Sequence, residues 1–335
     1  MNKQVEAVHS VARPTMKDVA SKAGVALKTV SRVVNGEAGV TPETAKRVQG
    51  AIADLGFRRN ESARLLRTGQ TATLGFIADD WTNADHTAVY RGLEDVARAN
   101  GYLLYSGSTD RDGQREEQLA LAMCARRVDG LIIIPTPGSH DYLVSEIEAG
   151  VAAVFVLRPP ALVRADAVLP DERGGGRAAV AHLIAHRHRR IGLVSGDSGG
   201  YRTAQLLAGY TEAMTAAGLP ADPAWTTLTA ESLPGAPVTA VLCADRASTE
   251  AVLRAGAGAG AGGGRLAVVG FGDFPLADLM SPPVTVLSYD ALLIGRTAGE
   301  LLVGRLAGDQ TPPRTVLVPV RLIERGSAEF PPPAE

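Results

Sequence analysis

The sequence predicts an α/β fold class, in which an N-terminal all-α helix-turn-helix head precedes a two-lobed core built on parallel sheets. Three observations carry this prediction. Residues 15–57 show three short helical patterns separated by glycine turns. From residue 72 onward, short apolar runs alternate with longer helical stretches, which is typical of βαβ units. Charge is also distributed unevenly along the chain. Residues 1–70 contain 12 Lys and Arg and 6 Asp and Glu, whereas the remaining residues contain 22 Lys and Arg and 30 Asp and Glu.

The head is predicted from its helix ends. The first helix should end at Gly24, and the second should close at Gly36. Thr41 is suited to cap the third helix, which has proline in its first turn and ends at Gly56. A tight turn between the first two helices indicates a helix-turn-helix unit. A basic head on an acidic body favours a polyanionic partner for the head alone.

The core is predicted from its alternating pattern. About ten strands over 260 residues exceed one doubly wound sheet, so we divide them between two lobes. Ligands of such folds bind at the carboxyl ends of strands. The clearest predicted strands are 74–78, 102–106, 130–134, 153–157, 191–195, 239–243 and 266–270, with helical stretches between them such as 89–99, 115–126 and 176–185.

Several function classes are disfavoured by composition. The N-terminal 14 residues lack the apolar stretch of a signal peptide, and the apolar run 131–134 is too short to span a bilayer. Cys124 and Cys243 are far apart in sequence, without metal-like spacing. We therefore expect a reduced, cytoplasmic protein with no membrane partner, no cofactor and no metal.

Three local motifs are interpreted as structural. The string GDSGG, 196–200, surrounds the nucleophile of trypsin-like proteases, but those enzymes need an all-β scaffold, so we predict no enzymatic activity. The glycine-rich run 255–264 lacks a phosphate-loop lysine and is interpreted as a flexible surface loop. The basic run HRHRR, 186–190, is interpreted as a solvated turn rather than a second nucleic-acid site or a metal site.

Lys28 and Arg32 are four residues apart and therefore share one face of the second helix. The second helix of a helix-turn-helix lies in the DNA major groove, where arginine makes bidentate contacts to guanine. The alternative is a solvated basic face, which would be the better explanation for an isolated helix. The residues around this pair favour the DNA-binding interpretation.

The frame TMKDVASKAGVALKTVSRVVNGEAGVTPETAKRVQGAIADLGF, 15–57, is followed directly by ESARLLRTG, 61–69. Together they resemble the lac-repressor type (LacI/GalR) family of bacterial transcription regulators. The resemblance continues through LGFIADDWTN, RRVDGLIIIP and the closing RLIERGS, and it covers roughly residues 15–327. It implies a periplasmic-binding-protein-like core and a homodimeric repressor that binds a palindromic operator in double-stranded DNA. A transport-type binding protein would share the lobes, but not the basic head.

The resemblance implies roles for residues of the head. Leu27, Lys28 and Arg32 match positions that read operator bases. The positions that match phosphate contacts, which set register rather than sequence, are Thr15, Thr29, Ser31, Asn35 and Thr41. Where the family usually has serine, this chain has Ala26, which removes a helix cap and one phosphate contact.

Residues 61–70 match the family's hinge helix, which folds on DNA beside its dimer mate. Leu66 matches the leucine that wedges between base pairs in the minor groove, and ordinary packing is the alternative. Ala63 allows close approach, and Arg64 and Arg67 are placed to contact the backbone or groove edges.

The resemblance also implies a small-molecule effector, sugar or related, in the cleft between the lobes, which shifts an equilibrium between lobe arrangements. The candidate cleft residues are Asp80, Trp81, Asn83, Arg158, Asp171, Tyr201, Arg202, Asp245 and Asp273. A ring of carboxylates with an arginine suits a polyhydroxy ligand; the alternative for several of them is a helix cap or a turn. The family's aromatic wall is replaced by Ala84, Asp85 and His86, for which Trp81 is a substitute, so effector identity is not readable.

The expected domain organisation has four parts: a tail at 1–14, the DNA-binding head at 15–60, the hinge helix at 61–70, and an effector-binding and dimerisation core at 71–330. Within the core, lobe 1 should comprise about 71–160 and 290–318, and lobe 2 about 161–289 and 319–330.

Overall fold

The computed structural model describes residues 14–57, 71–196, 200–255 and 265–332. The chain divides into two compact units, Met1–Thr71 and Ala72–Glu335. The predicted tail, the hinge residues Ala63, Arg64, Leu66 and Arg67, and most of the glycine-rich run lie outside the described residues.

The first unit contains three helices, α1 (Met16–Ala23), α2 (Leu27–Asn35) and α3 (Pro42–Leu55). Each ends at a glycine in the left-handed conformation, where a residue without a Cβ carries no steric penalty. Apolar side chains from all three helices meet in one small core, in which Val19, Val30 and Val48 are fully buried. The helix ends predicted from the sequence are confirmed.

The second unit alternates strands and helices, as the sequence pattern predicts. Its longer elements in chain order are β1 (Thr73–Ala78), α4 (Ala84–Ala99), β2 (Leu103–Ser108), α5 (Gly113–Ala125), β3 (Gly130–Ile133), α6 (Val144–Glu148), β4 (Ala152–Val156), β5 (Asp166–Pro170), α7 (Glu172–Ala185), β6 (Ile191–Val194), α8 (Tyr201–Ala216), β7 (Ala240–Cys243), α9 (Arg246–Arg254), β8 (Ala267–Phe271), β9 (Thr285–Tyr289), α10 (Ala291–Leu306), β10 (Thr315–Val318) and β11 (Val320–Ile323).

These strands form two sheets, one in each lobe. The first is six-stranded and parallel, in the order β10-β5-β4-β3-β1-β2. The second has the order β11-β9-β8-β7-β6, and only β11 runs antiparallel to its neighbour. The two-lobed α/β prediction is therefore confirmed.

The chain crosses between the lobes three times, after β5, after β9 and between β10 and β11. The expected boundary near residue 160 differs from the structure, because β5 pairs with β4 and β10 in the first sheet. Residues 161–170 thus belong to lobe 1. The strand was not predicted because its apolar run is only three residues long, Ala167 to Leu169, between Asp166 and Pro170.

Glycines let helices approach closely in both lobes. A Cβ added at Gly295 of α10 would overlap the carbonyl oxygen of Val89 in α4, and one added at Gly209 of α8 would overlap that of Arg173 in α7. Two close helix pairs therefore cover one face of each sheet. None of the helices in the described part of the chain has the length and apolar character needed to cross a membrane.

Candidate functional site: recognition helix and interlobe cleft

Helix α2 is held by its apolar face and leaves the predicted base-reading residues at the surface. Val30 is fully buried, whereas Leu27 is 45% exposed and Lys28 is exposed as well. Arg32 lies one turn after Lys28 and is half-buried. A leucine and two cations at the N-terminal half of a helix are suited to major-groove contacts, because thymine offers a methyl group and guanine offers two acceptors.

The predicted phosphate-contacting residues are partly engaged within the head. Thr15 donates its backbone N–H and its hydroxyl to Asp18, each at 2.7 Å, and these bonds lower the pKa of Asp18. Thr41 caps α3 by accepting from the Thr44 N–H at 3.4 Å. Asn35 donates to Ser31 at 3.3 Å and to Glu37 at 2.9 Å.

Ala26 precedes α2 and occupies its N-cap position in an extended conformation. A methyl group cannot accept a hydrogen bond, so the first N–H groups of α2 receive no cap from this side chain. In this respect α2 differs from α3, which Thr41 caps.

The carboxyl edge of the first sheet carries a buried ion pair that sequence reasoning missed. Asp79, at the end of β1, is 2% exposed and accepts from Arg158 Nη1 at 2.8 Å. His86 Nδ1 lies 3.0 Å from the other Asp79 oxygen. Burial alone would raise the pKa of Asp79, but the closeness of His86 and the charge of Arg158 outweigh it and lower the pKa to about 2. Arg158 is therefore oriented by Asp79 and not by Asp80, the neighbouring residue that was predicted to line the cleft.

Arg158 reaches this position through an unusual backbone. Leu157, which precedes it, has a φ of 65°, in the left-handed region that leucine rarely adopts. Arg158 also donates to the carbonyl of Pro135 at 2.6 Å. Strained conformations of this kind cluster at ligand sites. The predicted role of Arg158 at the cleft edge is thus supported by a locally strained, doubly anchored guanidinium.

Asp80 and Asn83 shape the loop between β1 and α4. Asp80 accepts from the Thr82 N–H at 2.7 Å and pairs with Arg111 at 2.9 Å. Asn83 caps α4 by accepting from the Asp85 N–H at 3.0 Å. Asp80 thus stabilises a turn and Asn83 caps a helix, which is the alternative to effector binding that the sequence left open for these residues.

Trp81 offers an aromatic surface beside this loop. It is 36% exposed and packs at a steep angle against Phe76 and Tyr90, with ring centroids 5.7 and 5.5 Å away. Two rings behind it hold its indole in place, so its exposed part is a rigid apolar face. The substitute wall predicted from the sequence is therefore structurally available.

The second lobe contributes another buried ion pair. Arg202 Nε donates to Glu172 at 2.8 Å, and its guanidinium lies 4.7 Å from the centre of the Phe271 ring. Burial raises the pKa of Glu172, and Arg202 and Arg158 partly oppose that effect. Arg158 belongs to lobe 1, so its charge acts on Glu172 across the cleft. Glu172 was not identified from the sequence because its partner Arg202 lies 30 residues further along the chain.

Two tyrosines connect the lobes directly. Tyr289, at the end of β9, donates its hydroxyl to Asp85 of α4 at 2.8 Å. Burial and the charge of Asp85 raise the pKa of Tyr289 well above its usual range. Tyr201, the first residue of α8, packs against an apolar cluster of lobe 1. The two lobes therefore contact each other at both tyrosines.

Three predicted carboxylates have structural partners. Asp171 and Asp245 cap α7 and α9 by accepting from the N–H groups of Gly174 at 2.9 Å and Ser248 at 2.7 Å. Asp273 forms a two-pronged ion pair with Arg325, at 2.8 and 2.6 Å. All three follow strands at the carboxyl edge of a sheet. A structural partner therefore does not remove these residues from the side of the sheet where ligands bind.

The interpretation of HRHRR as a solvated turn is wrong for His188. This side chain is fully buried, with Nδ1 3.0 Å from Thr239 Oγ1 and Nε2 2.9 Å from the Phe330 carbonyl oxygen. Burial lowers the pKa of His188. Both partners are distant in sequence, so a local reading could not include them.

Comparisons with known proteins agree with this architecture. The sequence pattern of "Bacterial regulatory proteins, lacI family" matches residues 15–60, and that of a periplasmic binding protein-like domain matches residues 180–328. The transcriptional regulator CelR of Thermobifida fusca is 31% identical, with 94% of this chain and 98% of CelR covered.

Solved structures give the same result. The lac repressor dimer bound to operator and the anti-inducer ONPF matches with a TM-score of 0.80 and 25% identity, covering 95% of this chain and 99% of that one. A CelR–cellobiose complex matches with a TM-score of 0.66 and 30% identity over 94% and 100%.

The fold, the recognition helix and these matches define a DNA-binding transcription regulator with a periplasmic-binding-protein-like effector domain. The chain belongs to the lacI family of bacterial regulatory proteins. Its matched relatives are named as regulators and repressors, not as enzymes, which agrees with the sequence prediction.

Proposed function

We propose that the protein is a homodimeric repressor that acts in the cytoplasm on a palindromic operator and responds to a polyhydroxy effector. The observation that carries this proposal is the surface of α2, where Leu27 and Lys28 are exposed and Arg32 is half-buried beside a well-packed three-helix core. The proposed limits are 15–60 for the head, 61–70 for the hinge helix and 71–330 for the core.

In this proposal the head reads bases with Leu27, Lys28 and Arg32. Thr15, Thr29, Ser31, Asn35 and Thr41 set the register on phosphates. Thr15 donates to Asp18 at the start of α1 and Thr41 caps α3, so both would contact phosphate while holding the starts of these helices in place. The uncapped start of α2 weakens operator binding without abolishing it, since one cap contributes about 1 kcal/mol.

The hinge residues Ala63, Arg64, Leu66 and Arg67 would act on the minor groove. Leu66 from both subunits would wedge into the operator centre and kink the duplex. Replacement of Leu66 by alanine would then reduce both the operator affinity and the bend angle.

A second copy of the chain is the proposed partner of an apolar surface on the core. Leu103 and Tyr105 lie on β2, the edge strand of the first sheet, and are 69% and 52% exposed. In lobe 2, Leu276, Leu279 and Met280 are exposed as well. Exposed apolar patches of this kind mark interaction surfaces. The lac repressor structure that the chain resembles is a dimer, which supports the same partner.

The proposed effector contacts Trp81, Arg158 and Arg202, with Tyr201 and several carboxylates around it. Hydroxyl groups both donate and accept, so a polyhydroxy ligand is compatible with arginines and aspartates at once. The apolar face of a sugar ring would stack on Trp81. The solved CelR complex contains cellobiose, which supports a sugar or a related compound. The Tyr289–Asp85 hydrogen bond joins the two lobes. Effector binding between the lobes would therefore shift the equilibrium between lobe arrangements.

The test is selection of bound duplexes from a random DNA pool by the purified full-length protein near physiological salt. The proposal predicts an enriched palindrome, whose genomic neighbours then suggest effectors to try for release of the complex. Enrichment of an asymmetric half-site would contradict the dimeric mode. No enrichment, with binding sensitive only to salt, would contradict specific regulation altogether.

A further inference from the structure

One side of the second lobe gathers a histidine and two glutamates that the DNA and effector sites do not use. His182 lies on α7, whereas Glu324 and Glu329 come from the segment that follows β11. Three of their ligand-type atoms lie within 4.8 Å of one another. His182 Nε2 is 2.9 Å from Glu329 Oε1, and His182 Nδ1 is 3.7 Å from Glu324 Oε1.

The donor set has the chemistry of a transition-metal site. Two carboxylates flank one imidazole, Glu324 at Nδ1 and Glu329 at Nε2, and the His182 side chain is only 9% exposed. Imidazole nitrogen with carboxylate oxygen suits zinc and its neighbours, whereas magnesium and calcium prefer oxygen alone. Ligands of a tetrahedral zinc ion are about 3.3 Å apart, and the three ligand-type atoms here all lie within 4.8 Å of one another, so a bound ion would draw them closer together.

The surroundings hold these groups in place, as the outer shell of a metal site does. Glu329 accepts from the Thr285 hydroxyl at 2.8 Å and from the Ala328 N–H at 3.0 Å. His186 donates from Nδ1 to the carbonyl oxygen of His182 at 3.0 Å. The ring centroids of His182 and His186 are 4.5 Å apart, so His186 packs beside the cluster.

The cluster is separate from the effector cleft. Helix α7 begins at Glu172 on the cleft side, and His182 is ten residues further on, about 15 Å along the helix axis. An ion here would therefore join the C-terminal segment to α7 without contacting an effector.

We propose that His182, Glu324 and Glu329 bind a divalent transition-metal ion, zinc by preference, with water in the remaining position. The bound ion stabilises the second lobe by linking α7 to the C-terminal segment. Sequence reasoning could not find the site, because the histidines showed no metal-like set among themselves and the glutamates lie about 140 residues away.

The test is a zinc titration of full-length protein that carries no affinity tag and has been freed of metal, in competition with a chromogenic chelator. One zinc ion per chain is expected. Glu324→Gln should weaken the affinity by at least about 10-fold. Glu324 is 64% exposed, so this variant should fold normally, which circular dichroism checks. Glu148→Gln, at an exposed glutamate of another helix, is the matched control and should bind zinc as the wild type does.

Three results would overturn the proposal. The first is a wild type that binds no zinc in stoichiometric amount. The second is full zinc affinity in both Glu324→Gln and His182→Ala, which would locate the ion elsewhere. The third is displacement of zinc by magnesium at equal concentration, which would reduce the cluster to an unspecific acidic surface.

Discussion

Arg32 is the residue whose chemistry most directly separates base reading from general attraction to DNA. Its side chain is half-buried on α2, one turn from Lys28, and is suited to a bidentate contact with guanine. Arg32→Ala should lower affinity by about 1–3 kcal/mol for the preferred base and relax discrimination at one base pair in each half-site. Affinities for operators substituted at each position measure this.

Arg47→Ala, at an exposed position of α3, is the matched control. It should weaken all sequences about equally, if at all. A uniform loss from Arg32→Ala would instead identify Arg32 as a phosphate contact.

Asp79 makes the stability of the core depend on pH at the acidic end. Its pKa is lowered from 3.8 to about 2, so the folded state favours the charged carboxylate. The resulting stability is fully present above about pH 4 and is lost as the pH falls through about 2. Denaturant unfolding should show Asp79→Asn destabilised by on the order of 2 kcal/mol at neutral pH, with the difference shrinking below pH 4. A difference that stays constant from pH 7 to 3 would contradict the assigned ion pair.

At the scale of elements, the close contact between α4 and α10 depends on glycine. Gly295→Ala should destabilise the core by about 1–3 kcal/mol, because the added methyl overlaps the Val89 carbonyl and the helices must separate. Thermal and denaturant unfolding measure the loss.

Gly304→Ala in the same helix is the control, since a Cβ there meets nothing within 4 Å. It should stabilise α10 by up to about 1 kcal/mol through helix propensity. Equal effects at the two positions would show that backbone entropy, not helix approach, explains Gly295.

The elements also show which parts of the structure a sequence can predict. The three helices of the head were predicted because their ends are local, with a cap at Thr41 and glycines at 24, 36 and 56. Strand β5 was not, since its apolar run is only three residues long, between Asp166 and Pro170. The lobe boundary was misplaced for that reason.

The same distinction applies to the cleft. Arg158, Arg202 and Trp81 were identified from motif matches, and the structure gives each a rigid setting. Asp79, Glu172 and Tyr289 were not, because their importance lies in burial and in partners from the other lobe or from distant strands. A residue that is buried by segments far away in the sequence leaves no local sequence pattern. For the same reason, His188 was predicted to be solvated.

At the scale of the whole molecule, dimerisation through β2 is the expectation. Leu103→Glu should shift the protein from dimer to monomer and reduce operator affinity, because a charge replaces an exposed apolar contact. Analytical ultracentrifugation measures the first effect, and operator titration the second.

Leu317→Glu, on the opposite edge strand β10, is the matched control and should leave the dimer intact. A dimer that survives Leu103→Glu but not Leu317→Glu would move the interface to the other side of the sheet.

The most direct test of the central claim, specific operator recognition by the dimer, is equilibrium binding to two duplexes over a series of salt concentrations. One duplex carries the selected palindrome and the other the same bases in scrambled order. We expect the palindrome to bind at least about 10³-fold more tightly, with both affinities falling as salt rises. Equal affinities with the same salt dependence would contradict the account and would leave the head as an unspecific polyanion-binding domain.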